Sequence, residues 1–254
     1  LWVSRYLTLF LGIVATLQYP FWLKRLIKEL TGSDDPYKRS KKMSNEKAVK
    51  LFPYAKKLVE KGHTQQERFK KACLCAIVGN ILEFDIPGHK FTFRSLTKSF
   101  RDAAKDLVVD DVDKAYELAK KARHVLFLSD NAGEIVFDTL LVEQLKNMGL
   151  KVTYVVKGGP VLNDATLEDV EPSGMGKLAD KVVTTGTDAV GLLPKEVSEE
   201  FLKVYGEAEL VFAKGMGYAE TLTELKLTKP HFLMFRTKCN SNTIRYTHPH
   251  TTNE

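Results

Sequence analysis

Acidic and amide side chains stand at the ends of predicted strands, where they could hold a divalent cation. Asp130 ends the apolar run "HVLFLSD", Asn131 follows it, and Asp164 ends the later segment "KGGPVLND". Carboxylate and amide oxygens suit hard cations such as Mg2+ and Mn2+, with water completing the coordination. We therefore predict a metal site formed by these three residues. Helix capping by Asp130 and turn formation at Asp164 are the structural alternatives.

Lysines occupy similar positions at the ends of three predicted strands. Lys157, Lys214 and Lys238 could meet phosphate oxygens as point charges. Residues 132–134 begin the helix after the first strand, so their N–H groups could hold an anion. Each lysine alone is more often a surface residue. Together with the oxygen ligands, however, these features describe a site for a phosphate ester.

The elements that must position these residues form an alternating pattern after Arg123. Short apolar runs typical of buried parallel strands alternate with segments of helical periodicity. Strands are predicted in "HVLFLSD", "LKVTYVVKGGP", "DKVVTTG", "AELVFAKGMG" and "KPHFLMFRTKC". This order predicts an α/β fold with a mostly parallel, doubly wound sheet. Ligands bind beyond the carboxyl ends of the strands in such sheets, and the polar residues fall there.

The first part of the chain is predicted to be mainly helical. Apolar residues at helical spacing indicate a long helix that includes Met43, Val49, Leu51 and Leu58. A second helix begins after Thr64, a plausible N-cap with Glu67 three residues later. We therefore expect a helical N-terminal region over residues 1–110 and an α/β metal- and phosphate-binding domain over residues 111–254.

Composition and charge narrow the class of protein. The chain has 254 residues, 44% of them hydrophobic, so it can bury a core and is not disordered. A net charge of +6 permits an acidic partner, such as nucleic acid, a membrane surface or a phosphorylated small molecule. The positive charge is spread over lysine-rich helical stretches, however, which favours solvated helix faces. No nucleic-acid module motif is present, so we expect no nucleic-acid partner.

Cysteine usage and the N-terminal segment bear on location. Three cysteines without zinc spacing or a disulfide framework fit a reducing compartment, so we expect a cytoplasmic protein. The apolar run "YLTLFLGIVATLQYPFWL" is broken by Gln18 and Pro20 before the roughly 20 residues that span a bilayer accumulate. This favours a buried, packing segment over a membrane-associated or exported one.

Several motifs resemble those of one phosphatase family. They are "TGSDDPY", Gly79-Asn80, "SDNAGEIVFD", "KGGPVLNDAT", "AKGMG" followed by Glu220, and "RTKC", which occur in this order over most of the chain. This set is similar to the archaeal and bacterial branch of the metal-dependent damage-control phosphatases. That family was once described as a domain of unknown function, and its eukaryotic relatives include acidic residue methyltransferase 1.

The resemblance implies a three-layer α/β/α fold with an added N-terminal helical bundle. It also implies a phosphatase that hydrolyses small phosphate monoesters, such as sugar phosphates or damaged and surplus metabolites. The implied cofactor is an Mn2+, Co2+, Ni2+ or Mg2+ ion at the positions of Asp130, Asn131 and Asp164. The expected partner is thus a small-molecule phosphate ester.

The same resemblance suggests roles for the other candidate residues. Lys238 matches a lysine that binds phosphate, so Asp130, Asn131 and Lys238 form the expected catalytic set. Substrate binding is expected of the residues at the remaining motif positions and strand ends, which are Asn80, Glu134, Lys157, Lys214 and Glu220.

Alternatives remain open from the sequence. The phosphoryl group could be attacked by water or by Asp130 through an aspartyl-phosphate, although such enzymes commonly use Asp-x-Asp and Ala132 occupies the second position. A non-catalytic phospho-ligand or nucleic-acid binding protein is the main alternative, because both ends depart from the family pattern. A carboxyl methyltransferase is less favoured, because "SDNAGE" has a single glycine and its acid follows the first strand.

Overall fold

The computed structural model describes residues 26–80 and 93–236, except for residues 27, 31, 103, 104 and 106 and the side chains of residues 93–97. The N-terminal apolar run and the predicted catalytic Lys238 therefore lie outside the described residues. Within the described ranges, no helix has both the length and the apolar character needed to cross a membrane.

Helices precede the first strand, and strands then alternate with helices. The helical part contains α1 (Lys38–Glu60), α2 (Gln65–Gly79), α3 (Phe93–Asp102) and α4 (Val112–Lys121). The alternating part runs β1 (His124–Leu128), α5 (Glu134–Asn147), β2 (Lys151–Val156), α6 (Leu167–Ser173), α7 (Met175–Leu178), β3 (Lys181–Thr184), α8 (Glu199–Glu207), β4 (Leu210–Lys214), α9 (Met216–Leu222) and β5 (His231–Met234). Each predicted strand is present.

The described strands form one parallel sheet in the order β3-β2-β1-β4-β5. The chain enters the sheet at its centre, winds outward to one edge, and then returns to the other side of β1. The strand order therefore reverses between β1 and β4, which opens a crevice beyond their carboxyl ends. This topology confirms the predicted α/β fold with a doubly wound sheet.

Alternate residues of the central strand face opposite layers of helices. Val125 and Phe127 belong to the hydrophobic cluster that contains α1, α2, α4 and α5. Leu126 and Leu128 belong to a second cluster, which contains residues of α8 and α9. Because successive strand residues point to opposite faces, one short apolar strand supports both layers. The predicted three-layer α/β/α arrangement is therefore confirmed.

The long helix α1 differs from its predicted burial pattern. Met43 and Val49 are 40% and 47% exposed. The buried face is formed instead by Ala48, Leu51, Ala55 and Val59, together with the polar residues Lys41, Ser44 and Asn45. Of the apolar residues that predicted the helix, Leu51 is buried and Leu58 packs against the core, whereas Met43 and Val49 lie on the outer face.

The N-terminus of α2 forms as predicted in part. The Thr64 side chain accepts a hydrogen bond from the Glu67 N–H at 3.1 Å, which confirms the N-cap. The Glu67 carboxylate accepts from the His63 N–H at 2.7 Å, so it does not complete the predicted capping box with Thr64.

The helical layer shares one hydrophobic cluster with β1, β2 and β4. The division of the chain at residue 110 stays a prediction.

The cysteines of α2 are buried free thiols. Neither Cys73 nor Cys75 takes part in a disulfide. Burial raises the pKa of the Cys75 thiol to about 12, so the thiol stays protonated and unreactive. This agrees with the interpretation of these residues as ordinary helix thiols.

Phe127 provides a test of how far the sheet core depends on one aromatic residue. Its ring stacks between Tyr154 and Phe212, with centroid distances of 5.2 and 6.0 Å. We expect Phe127→Ala to lower the free energy of unfolding by about 3–5 kcal/mol, because the lost ring leaves a cavity. Leu118→Ala on α4, where the residue is 38% exposed, should cost about 1 kcal/mol or less. Guanidinium denaturation of both variants checks this, and equal losses would contradict it.

Candidate active site

The three residues predicted to bind a metal lie together at the carboxyl edge of the sheet. Asp130 and Asn131 follow β1, and Asn131 forms an isolated antiparallel bridge with Asp164 in the segment after β2. The Ala165 N–H donates to the Asp130 carbonyl at 2.7 Å, which joins the two segments further. Because β1 and β2 are adjacent parallel strands, the three predicted metal ligands lie together.

Two asparagine amides lie between two carboxylates at this edge. The Nδ2 atoms of Asn80, the C-cap of α2, and Asn131 each donate to Asp130 Oδ2 at 2.9 Å. The same two Nδ2 atoms donate to Glu134 Oε2 at 3.0 and 3.1 Å. Since the amide NH2 groups face the carboxylates, both side-chain oxygens face away from them.

Lys214, at the end of β4, is fully buried against the same carboxylates. Its ammonium pairs with Glu134 Oε1, donates to Asp138 Oδ1 at 2.8 Å and donates to the Ala76 carbonyl at 2.9 Å. An ammonium has three N–H donors, and these acceptors use all three. In this structure Lys214 therefore holds two carboxylates in place, and its predicted role in substrate binding stays a prediction.

The carboxyl group of Asp130 is strongly perturbed. Burial raises its pKa well above the usual value, and the nearby charges of Glu134 and Asp164 raise it further. Burial also raises the pKa of Asp138 to about 6, although Lys214 opposes the rise. Repulsion among acids at one edge of a sheet is typical of functional sites.

Charge balance provides a test of whether a cation fits. Around Asp130 the acidic cluster comprises Asp130, Glu134, Asp138 and Asp164, and the buried cations beside it are Lys157 and Lys214. Four carboxylates and two ammonium groups leave two negative charges in excess when all are ionised. A divalent cation would offset that excess. The donor oxygens and the charge therefore both fit the predicted ion.

The metal itself stays a prediction. Within the described part of the chain, no group of three or more His, Cys, Asp and Glu side chains has an arrangement that could hold a metal ion. The predicted set combines two carboxylates with one asparagine amide, a combination that hard cations also accept with added water.

The predicted anion site at residues 132–134 is not supported at its first two amides. The Ala132 N–H donates to the Asn163 carbonyl at 2.8 Å, and the Gly133 N–H donates to Asn45 Oδ1 at 2.6 Å. Both donors are therefore used within the protein. The N-cap of α5 is Gly133 and has no side-chain cap, so helix capping does not explain Asp130.

Comparison with known proteins identifies the family. The sequence model of the damage-control phosphatase ARMT1-like domain matches residues 12–243. The chain belongs to this family. It is 37% identical over 220 residues to the damage-control phosphatase of Archaeoglobus fulgidus, covering 85% of this chain and 74% of the relative. It is 38% identical over 231 residues to the uncharacterized protein MJ0202 of Methanocaldococcus jannaschii, covering 87% of this chain and 74% of the relative.

A family member of known structure has the same fold. The crystal structure of a DUF89 family protein from Pyrococcus horikoshii has a TM-score of 0.76 and 33% sequence identity to this chain. The match covers 86% of this chain and 74% of that one. The family and fold implied by the sequence motifs are therefore confirmed. The roles of individual residues stay predictions.

In the present chain, Lys157 contacts the acidic cluster through Asp164. Its Nζ donates to the Gly191 carbonyl at 3.1 Å and to the Tyr218 hydroxyl at 3.3 Å, and lies 3.7 Å from Asp164 Oδ2. Burial disfavours the charge of Lys157, but Tyr218 and Asp164 outweigh it and the pKa is raised. The ammonium therefore stays charged beside a predicted metal ligand.

The remaining predicted residues are less informative. Glu220 lies in α9 with a partly exposed side chain, and its carbonyl accepts from Thr223 Oγ1 at 3.1 Å. Its substrate-binding role stays a prediction. Lys238 lies outside the described residues, so its catalytic role stays a prediction as well.

Sequence reasoning missed two polar residues that shape the site. Asp138 is fully buried one helical turn after Glu134, and an aspartate within the apolar face of α5 could have indicated it. Asn45 of α1 accepts from the Gly133 N–H and donates to Asp169 Oδ1 at 2.7 Å. Nothing in its sequence context pointed to that contact.

A polar cleft lies beyond the ends of β2 and β3. Its volume is about 350 Å³, and its lining includes Lys28, Gly158, Gly159, Thr187, Asp188 and Glu196. Lys28 Nζ donates to Asp188 Oδ2 at 3.2 Å and also contacts the Pro160 carbonyl. The cleft therefore presents charged and hydroxyl groups next to the strand ends that carry the acidic cluster.

Gly215 allows β4 to pass against Asp130. Its φ is +86°, and a Cβ at this position would lie 2.3 Å from Asp130 Cγ and Oδ2. Gly149 has the same φ of +86°, but no atom lies within 4 Å of the corresponding Cβ position. Gly149 therefore tests a positive φ without a clash, whereas Gly215 combines the clash with a ψ of 164°, a conformation open essentially to glycine alone.

We expect Gly215→Ala to destabilise the protein more than Gly149→Ala. The positive φ should cost Gly149→Ala about 1–2 kcal/mol, and the backbone of Gly215, with ψ 164°, should cost alanine at least as much. The clash with Asp130 should cost Gly215→Ala about 1–3 kcal/mol more, because the crowded side chains must shift. The free energy of unfolding in guanidinium measures both losses. Equal values would show that Asp130 does not pack against this turn.

Proposed function

We propose that this protein is a metal-dependent phosphatase of small phosphate monoesters, with Asp130, Asn131 and Asp164 as the metal ligands. The observation that carries the proposal is the acidic cluster, in which four carboxyl groups lie beside two ammonium groups at the crevice where doubly wound sheets bind ligands. Relatives named damage-control phosphatase support the phosphatase role. The metal and the class of substrate are our inference.

The side chains around the cluster have distinct tasks in this proposal. A divalent cation held there would polarise the phosphoryl oxygens and offset their charge. The amide donors of Asn80 and Asn131 keep Asp130 Oδ2 occupied, so the other carboxylate oxygen of Asp130 is the one that faces a ligand. Lys157 supplies positive charge beside Asp164, and Lys238 is proposed to offset the charge that develops on the phosphoryl group.

Direct attack by water is the route that these residues favour. The water oxygen bonds to phosphorus, the ester P–O bond breaks, and a proton reaches the departing alkoxide. An aspartyl-phosphate route normally needs a second acid two residues after the nucleophile, and that position is the buried Ala132. Asp130 therefore acts as a ligand in the proposal.

The rest of the substrate is proposed to occupy the polar cleft beyond β2 and β3. Neighbouring strands lie roughly 5 Å apart, so this cleft is within about 10 Å of the cluster beyond β1. Asp188, Thr187 and Lys28 offer hydrogen-bonding groups suited to hydroxyls. A polyhydroxylated leaving group, as in a sugar phosphate, fits this lining better than an apolar one.

Turnover of p-nitrophenyl phosphate should depend on added metal. We expect activity to disappear after chelation and to return with at least one of Mn2+, Co2+, Ni2+ and Mg2+. Asp130→Ala and Asp164→Ala should each lose more than about 100-fold, because even residues behind the ligands of a metal site cost 10- to 100-fold. Asp113→Ala, on the exposed side of α4, is the control and should keep wild-type activity. Full activity without metal would refute the proposal, as would an active Asp130 or Asp164 variant.

Replacing Asp188 should impair the turnover of sugar phosphates more than that of aryl phosphates. We expect Asp188→Ala to raise KM for a hexose phosphate by about 10-fold, since a hydrogen bond to a charged group is lost. The kcat/KM for p-nitrophenyl phosphate should change less than about 3-fold, because its ring makes no such bond. Glu207→Ala, on the exposed end of α8, is the matched surface control. Equal losses on both substrates would place the leaving group elsewhere.

A further inference from the structure

A buried chain of polar contacts leads from β2 to the amides of the candidate site. The Tyr154 hydroxyl donates to Asp138 Oδ2 at 2.7 Å, and Asp138 Oδ1 accepts from Lys214 Nζ at 2.8 Å. The Lys214 ammonium also pairs with Glu134 Oε1. All four residues are 0–1% exposed. We call Tyr154, Asp138, Lys214 and Glu134 the buried polar chain.

The last member of this chain sets the orientation of two amides. Glu134 Oε2 accepts from the Nδ2 atoms of both Asn80 and Asn131, as Asp130 Oδ2 does on the other side. Rotating either amide by half a turn would bring its oxygen against a carboxylate oxygen. Glu134 in this position therefore keeps the Asn131 oxygen turned outward.

The earlier members hold Glu134 in that position. Glu134 and Asp138 are four residues apart on α5, so their carboxylates face the same side and enclose the ammonium. Lysine has a long flexible stem, so the ammonium is fixed only by its acceptors. Tyr154 binds the second oxygen of Asp138 and thereby fixes the plane of that carboxylate.

We propose that Asp138 and Tyr154 are positioning residues that act through Lys214 and Glu134 on the two side-chain amides of the site. The catalytic consequence of this inference rests on the proposed function. The orientation of the amides does not, because it can be measured without metal or substrate.

The first experiment follows the amides directly by NMR. Protein labelled with 15N-asparagine shows the side-chain NH2 resonances of Asn80 and Asn131, assigned with alanine variants at each position. In Tyr154→Phe we expect both resonances to shift and their hydrogen exchange to accelerate about 3- to 10-fold, as for the loss of one hydrogen bond. Tyr116→Phe is the control, because Tyr116 is also buried and its hydroxyl donates to Gln65 Oε1 at 3.1 Å, away from the buried polar chain.

The second experiment measures the binding of Mn2+ alone by calorimetry. Asp138→Asn removes a charge but keeps the size of the side chain and an acceptor for Lys214. We expect its Mn2+ affinity to fall about 10- to 100-fold, as is usual for residues behind metal ligands, and that of Tyr116→Phe to stay unchanged. In turnover, Asp138→Asn should lower kcat with little change in KM. Its effect should be less than additive with that of Glu134→Gln, because both variants break one chain.

The two experiments separate the failure of this inference from that of the proposed function. Asparagine resonances unchanged from wild type in a folded Tyr154→Phe protein would overturn the positioning role, whatever the enzyme does. Resonances that move in this variant but not in Tyr116→Phe support the role, even if the wild type neither binds Mn2+ nor turns over an ester. A wild-type protein that neither binds Mn2+ nor turns over an ester would contradict only the proposed function.

Discussion

The buried ammonium of Lys214 is the interaction on which the rest of the site depends. A charge taken out of water is costly unless it is paired and fully hydrogen-bonded. Lys214 meets this condition by joining β4 to two carboxylates of α5 and to a backbone carbonyl of α2. Lys214 therefore holds β4, α5 and α2 together beneath the crevice. Because Glu134 is one of the pinned groups, this ion-pair network also aligns the amides that face Asp130.

The position of the crevice follows from the order of the strands. The chain leaves β1 and β4 toward opposite faces of the sheet, so the loops after these adjacent strands separate and expose the strand ends. Asp130 follows β1 and Gly215 follows β4, and the absence of a side chain at Gly215 lets the two segments touch. The same topology places Asp164 beside them from β2. The excess of acidic groups there is the physical reason for expecting a cation.

The N-terminal helices contribute to the site as well as covering the sheet. Asn80 at the end of α2 donates to Asp130 and Glu134, and Asn45 of α1 accepts from the N–H of Gly133. The contact of Asn45 satisfies a backbone donor of the turn before α5 and accounts for one of the polar residues that α1 buries. The candidate site is therefore formed by the sheet and the helical layer together.

Local patterns in the sequence were sufficient to predict the fold and the position of the candidate site. Short apolar runs and helical periodicity identified the strands and most helices, and parallel strands align their carboxyl ends, so Asp130, Asn131 and Asp164 could be expected together. The partners of the other polar residues, in contrast, become visible only once the helices have packed against the sheet. Lys214 turns toward α5 instead of the crevice, Asp138 joins it, and the amides at the start of α5 are used by Asn45 and Asn163. These partners are distant in the chain, and their meeting depends on how the helices pack. Local periodicity carries no information about that packing.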